Sequence, residues 1–162
     1  MQCAHSGARV CVLEEVVDKQ VVFSSIDPVR GRLEELARVE NRNYARGTDL
    51  SPDGSKVALV ENGGDSVRLL DLKTKQIQVI HPDPPQTGLQ LSSWSADGKR
   101  LFVAGFPNRK GRLLEMGLAG HTRILLENPH GWIGAPLASP DGKRLAYTYA
   151  VTESNVTLLE NF

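Results

Sequence analysis

Long apolar runs, charge excess, cysteine and catalytic motifs are all scarce in this sequence, and each scarcity excludes something. No stretch approaches about eighteen consecutive apolar residues, the length a spanning helix needs, so no membrane insertion is expected. The 19 basic and 19 acidic residues cancel to a formal net charge of zero. Nucleic-acid and anionic-membrane binders draw on excess positive charge, so no nucleic-acid partner is expected. No run of like charge is long enough for a disordered tail. Met1 to Gly7 carries no apolar signal core. As it stands the chain is expected in the cytoplasm, and in the periplasm or outside the cell if it belongs to a longer polypeptide.

The two cysteines, Cys3 and Cys11, do not form a C-x-x-C pair. Cys11 reads as a small buried hydrophobe and Cys3 as incidental; a disulfide between them would require an oxidising compartment and suitable geometry. The histidines His5, His81, His121 and His130 have no metal-ligand spacing. There is no calcium loop, no glycine-rich ATP loop, no H-R-D or D-F-G and no G-x-S-x-G elbow. No metal, cofactor or catalytic residue is therefore expected.

What the sequence does contain is a repeat. Ser51-Pro52-Asp53-Gly54 returns as Ser95-Ala96-Asp97-Gly98 and as Ser139-Pro140-Asp141-Gly142. The intervals, 51 to 95 and 95 to 139, are equal at 44 residues. A cation follows each glycine by two positions (Lys56, Arg100, Arg144), and a leucine follows by sixteen (Leu70, Leu114, Leu158). A period of about 40–45 residues is that of a four-stranded propeller blade. Proline presets the turn, aspartate caps it through its side chain and glycine takes positive φ, so each motif joins two antiparallel strands. Val57 to Val60, Leu101 to Ala104 and Leu145 to Tyr149 are too short for helices and suit strands buried on both faces.

The fold expected is all-β: one domain over residues 1–162, with blades near 8–40, 47–81, 90–127 and 135–160. Strands are lettered a to d outward from the axis. The first blade is degenerate, and is read as lacking strand a. The last is read as three strands, 135–139, 143–150 and 155–160, lacking strand d. Leu33 to Arg38 has the spacing and composition of a helix, but the repeat places strand d there. Such an arc leaves its terminal faces bare. It could be part of a longer propeller, a closed four-bladed ring, or half of a two-fold dimer forming a ring of about eight blades, and the homodimer is the arrangement favoured here.

These turns and the strands after them resemble the TolB-like repeat, also called PD40 or WD40-like. The residues that carry the resemblance are Leu50 to Ala58, Trp94 to Leu101 and Ala138 to Ala146, with Ala96 as the departure from proline. The resemblance covers residues 47–160 well and 8–40 weakly. It implies a propeller that binds protein or peptide, and occurs in settings that include envelope complexes, peptidase propellers and bacterial membrane-bound Ser/Thr kinases. The opening Cys11-Val12-Leu13 and Lys19 to Pro28 resembles the start of a kinase-associated propeller.

The expected binding surface lies on the loops joining d to the next a, and b to c. Its candidate residues are Arg42, Tyr44, Arg46, Phe106, Arg109, His130 and Trp132, several of them types enriched at interface hot spots. Tyr44 and Trp132 could instead fold back over the core. Asp53, Asp97 and Asp141 are expected to cap their turns, and Arg109 to Arg112 to form a solvated tip. Inner strands offering Asp49, Ser92, Ser93 and Trp94, with no repeated acid or histidine, argue for a non-catalytic scaffold or sensor over the alternative, a hydrolase or lyase acting near the central channel.

Overall fold

The computed structural model describes residues 1–4, 10–42 and 47–151. They form fourteen strands and one 3-10 turn, Pro107–Arg109. The first sheet is β1 (Gln2–Cys3), β2 (Cys11–Val17), β3 (Gln20–Asp27) and β4 (Gly31–Glu40), in that order. The second is β5 (Thr48–Leu50), β6 (Lys56–Val60), β7 (Val67–Asp71) and β8 (Ile77–Ile80). The third is β9 (Leu89–Trp94), β10 (Arg100–Gly105), β11 (Gly111–Gly117) and β12 (Thr122–Asn128). The fourth contains β13 (Gly131–Ala138) and β14 (Leu145–Val151) among the described residues. Every paired strand within a sheet is antiparallel to its neighbour. The expected strand at 155–160 lies outside the described residues.

The core is laminated between sheets. Val12, Val21 and Phe23 of the first sheet pack with Val57, Leu59 and Leu70 of the second. Ala58, Val60 and Leu69, on the opposite face of the second sheet, pack with Leu101, Val103 and Met116 of the third. Ala104 and Leu113 then meet Ile133 of the fourth. β6 thus buries alternate residues against different neighbours, which is why Val57 to Val60 is apolar without alternation. Truncating one such leucine costs about 2–5 kcal/mol.

Three expectations are corrected. The first sheet does have an inner strand: β1 pairs Gln2 with Val12 and Cys3 with Cys11. Those cysteines are bonded as a disulfide, so Cys11 is not a core hydrophobe, nor is Cys3 incidental. Opposed positions on adjacent strands bring their Cα atoms to 3.9 Å, a proximity that residues 8 apart in sequence do not announce. The inner strand of the fourth sheet starts at Gly131, earlier than expected, because Gly131 to Gly134 pairs with Thr148 to Val151. Gly131 sits so close to the Ala150 carbonyl that an added Cβ would lie 2.3 Å from its oxygen. Leu33 to Arg38 lies within β4, as the repeat indicated: Val21, Val22 and Phe23 pair with Val39, Arg38 and Ala37, and this ladder outweighs the local helix tendency.

Candidate functional site

The three repeated turns are superimposable in their bonding. Each serine hydroxyl donates to the aspartate Oδ1 two residues on, at 2.6 Å in all three: Ser51 to Asp53, Ser95 to Asp97, Ser139 to Asp141. The same oxygen accepts the backbone N–H of Ser55, Lys99 or Lys143. Gly54, Gly98 and Gly142 have φ of 73°, 67° and 69°, where a side chain is strained. The serine hydroxyl, foremost, holds each aspartate carboxyl below the usual carboxylate range. These aspartates are committed to turn capping, as expected.

Side-chain stitches cross from sheet to sheet near the inner strands. Gln2 donates to the Thr48 carbonyl at 2.9 Å and accepts the Leu50 N–H at 2.6 Å. Asp49 and Trp94 link the second and third sheets. Trp132 donates from Nε1 to Gln90 Oε1 at 2.8 Å, linking the third and fourth. The Trp132 ring also covers Gly134, where a Cβ would fall 2.1 Å from the indole carbons. Half-buried Trp132 therefore packs within its own arc through Gly134 and Gln90.

Among the described residues, the remaining loop candidates share no hydrogen bond or ion pair with one another. Arg42 is exposed and ion-paired with Glu40 at 3.2 Å. Phe106 is half-buried, its N–H donating to the Gly88 carbonyl at 2.8 Å. Arg109 and His130 are exposed. Tyr44 and Arg46 lie outside the described residues. Behind the Arg109 tip, Arg112 is anchored to Gln86 at 2.7 Å and Glu127 at 3.0 Å, so it is not a solvated cation.

Two cavities open at the other end, beside the repeated turns. One of about 250 Å³ lies where three inner strands end, between Asp49, Leu50, Ser93, Trp94, Leu137 and Pro140. A larger cleft of about 630 Å³ separates the third and fourth sheets. Its floor includes Phe102 and Leu125, and its walls include Arg144, Leu145 and Glu115. Glu115 is largely buried between Arg123 and Arg100, whose guanidinium groups hold its carboxyl below the usual range.

Beside this cleft the fourth sheet is bare. Tyr147, Tyr149 and Val151 of β14 are 46%, 54% and 49% exposed, while Leu59 of β6 and Val103 of β10, two and one repeat intervals before Tyr147, are 0% exposed. Bare terminal faces were expected of such an arc, but these positions were not among the candidate binding residues. The signal that marks them as a candidate surface is the repeat itself, which makes residues 145–149 a strand built for burial on both faces.

No family model matches the chain. Among solved structures it resembles TolB from Acinetobacter baumannii, with a TM-score of 0.71 at 19% identity over 96% of this chain and 39% of that one. The fold is a TolB-like partial β-propeller. An oligogalacturonate lyase in complex with manganese resembles it with a TM-score of 0.65 at 18% identity, over 94% of this chain and 46% of that one. A nidogen/laminin complex does so with a TM-score of 0.63 at 13% identity, over 89% and 58%. This propeller arc therefore spans less than two thirds of the length of each of these neighbours. At such identities the likeness concerns fold alone, and that fold serves binding proteins and enzymes both.

Proposed function

We propose that this chain is a non-catalytic binding module, a propeller arc that takes a protein or peptide partner as part of a larger assembly. The observation that carries the reading is the exposure of β14, clearest at Tyr147, whose counterparts Leu59 and Val103 are buried in both preceding sheets. Bare apolar strand surface of this kind marks an interaction site or an aggregation hazard. Leu137, 63% exposed on the adjoining strand, extends the same surface. A second copy of the chain is one such partner, giving a ring of about eight sheets. The exposed Arg109 and His130, with Phe106 between strands b and c, are a second contact surface in this reading.

The Cys3–Cys11 bridge supports an oxidising compartment, such as the periplasm, over the cytoplasm. None of the three neighbours named above is a kinase. The alternative of a hydrolase or lyase draws on the fold likeness to the lyase.

The test is light scattering and partner capture with the intact chain and with Tyr149→Glu. Self-association or specific capture that the substitution abolishes, with unfolding temperature unchanged, is the expected result. Partner capture indifferent to this charge, or a monomer that captures nothing, would remove the proposal.

A further inference from the structure

Each repeated turn turns its second residue onto one cavity. Pro52, Ala96 and Pro140 all line the space of about 250 Å³ at the ends of the second, third and fourth inner strands. Residues 49–50, 93–94 and 137–138, again at the repeat interval, complete most of the wall. Two of these turns therefore hold a pyrrolidine ring at this point, and the middle one does not. The three turns are alike in side-chain bonding and in glycine φ, so Ala96 stands where the backbone admits proline. The neighbouring turn admits it too: Pro52 Cδ lies 3.7 Å from the point a Gly98 Cβ would occupy, and Ala96 Cβ lies 3.6 Å from the same point at Gly142.

The hydrogen-bond donors of the wall are already engaged. The Trp94 N–H and indole donate to Asp49, the Ser139 hydroxyl to Asp141, and the Ser93 hydroxyl to the Trp94 carbonyl at 3.4 Å. Asp49 is the one ionisable residue among those lining the cavity, which disfavours an anionic occupant. Leu50, Leu137 and Ala138 add apolar surface.

We propose that this cavity seats the ring of a prolyl residue from a bound peptide, in the space that a turn proline at position 96 would fill. The proposal rests on the reading of the chain as a binding module. A prolyl residue has no N–H to satisfy, which suits a wall whose donors are spent. At about 250 Å³ the cavity is smaller than the roughly 300–1,000 Å³ of drug-sized ligand sites and fits a single ring. Proline in an extended segment also presents that ring at little conformational cost, and docks on aromatic and apolar walls such as Trp94 and Leu50 supply here.

The probe is the peptide acetyl-Ala-Ala-Pro-Ala-Ala-amide, titrated into the isotope-labelled full chain and followed at the indole N–H resonances of Trp94 and Trp132. Saturable movement at Trp94, with Trp132 unmoved, is expected. The peptide with alanine in place of proline should bind about tenfold more weakly, for the two ring carbons it no longer buries. Ala96→Pro should fill the seat and abolish the movement, while its unfolding temperature holds or rises, as for proline at a compatible turn position. Absence of movement at Trp94 overturns the proposal, as does binding indifferent both to Ala96→Pro and to loss of the peptide's ring. N-acetylpyrrolidine serves as the same ring without a peptide; if it binds and the peptide does not, the occupant is a small molecule and the proposal is wrong. If both probes fail while capture of a protein partner still depends on Tyr149, the prolyl seat is wrong and the binding module stands.

Discussion

Trp94 binds Asp49 twice: its backbone N–H donates to the Asp49 carboxylate at 2.8 Å, and its indole Nε1 donates to the Asp49 carbonyl at 3.1 Å. The two residues sit on the inner strands of adjacent sheets, so the second and third sheets are joined at the axis by a residue that also contributes to their shared core.

This pairing separates two contributions. Trp94→Phe keeps most of the ring and loses the indole donor, and should cost about 1 kcal/mol. Trp94→Ala also removes the packing and should cost about 3–5 kcal/mol. Urea unfolding measures both, and equal losses would mean that the hydrogen bond, not the packing, dominates.

Trp132→Ala is expected to lower stability by about 3 kcal/mol, because the indole covers Gly134 and binds Gln90. Arg109→Ala, at an exposed tip, should stay within about 0.5 kcal/mol of the parent. A destabilising Arg109→Ala with a neutral Trp132→Ala would reverse the roles assigned to them.

Reducing the Cys3–Cys11 bridge, or replacing both cysteines by serine, should cost about 2–3 kcal/mol on the chain-entropy model for so short a loop. The effect should be local first, since β1 pairs only two residues with β2. Hydrogen exchange at the Leu50 amide, which donates to Gln2, should then quicken more than at Leu59. Unchanged protection at Leu50 would show that Gln2 holds its place without the bridge.

Acid should destabilise this protein through a defined set of groups. Asp53, Asp97 and Asp141 are held down first by their serines, and Asp71 falls to about 2 through the Thr74 N–H and then Lys56. Because the folded pKa values lie below the ordinary value of 3.8, these carboxylates stabilise the fold above that value, and the contribution disappears as pH falls toward 2. Asp71→Asn should therefore flatten the stability curve between about pH 4 and pH 2 without moving its shape near pH 7. A parallel curve, merely displaced, would contradict this assignment.

The repeat interval, the turns and the strand order could be read from residues 47–151 because their causes are local. Ser-x-Asp-Gly closes its own turn, and four apolar residues between turns leave few alternatives to a buried strand. β1, the disulfide and the packing of half-buried Trp132 could not be read this way, because each depends on a partner on another strand or another sheet. Leu145 to Tyr149 shows the division most clearly. Its composition matches β6 and β10, yet burial belongs to neighbours and not to composition: the second and third sheets are covered on both sides, while the fourth leaves β14 open. Sequence alone determined that this chain would be a run of antiparallel sheets with bare terminal faces; the pairing of β1 that brings Cys3 to Cys11, and the packing of Trp132 across to Gln90, were decided only by contacts between strands and sheets.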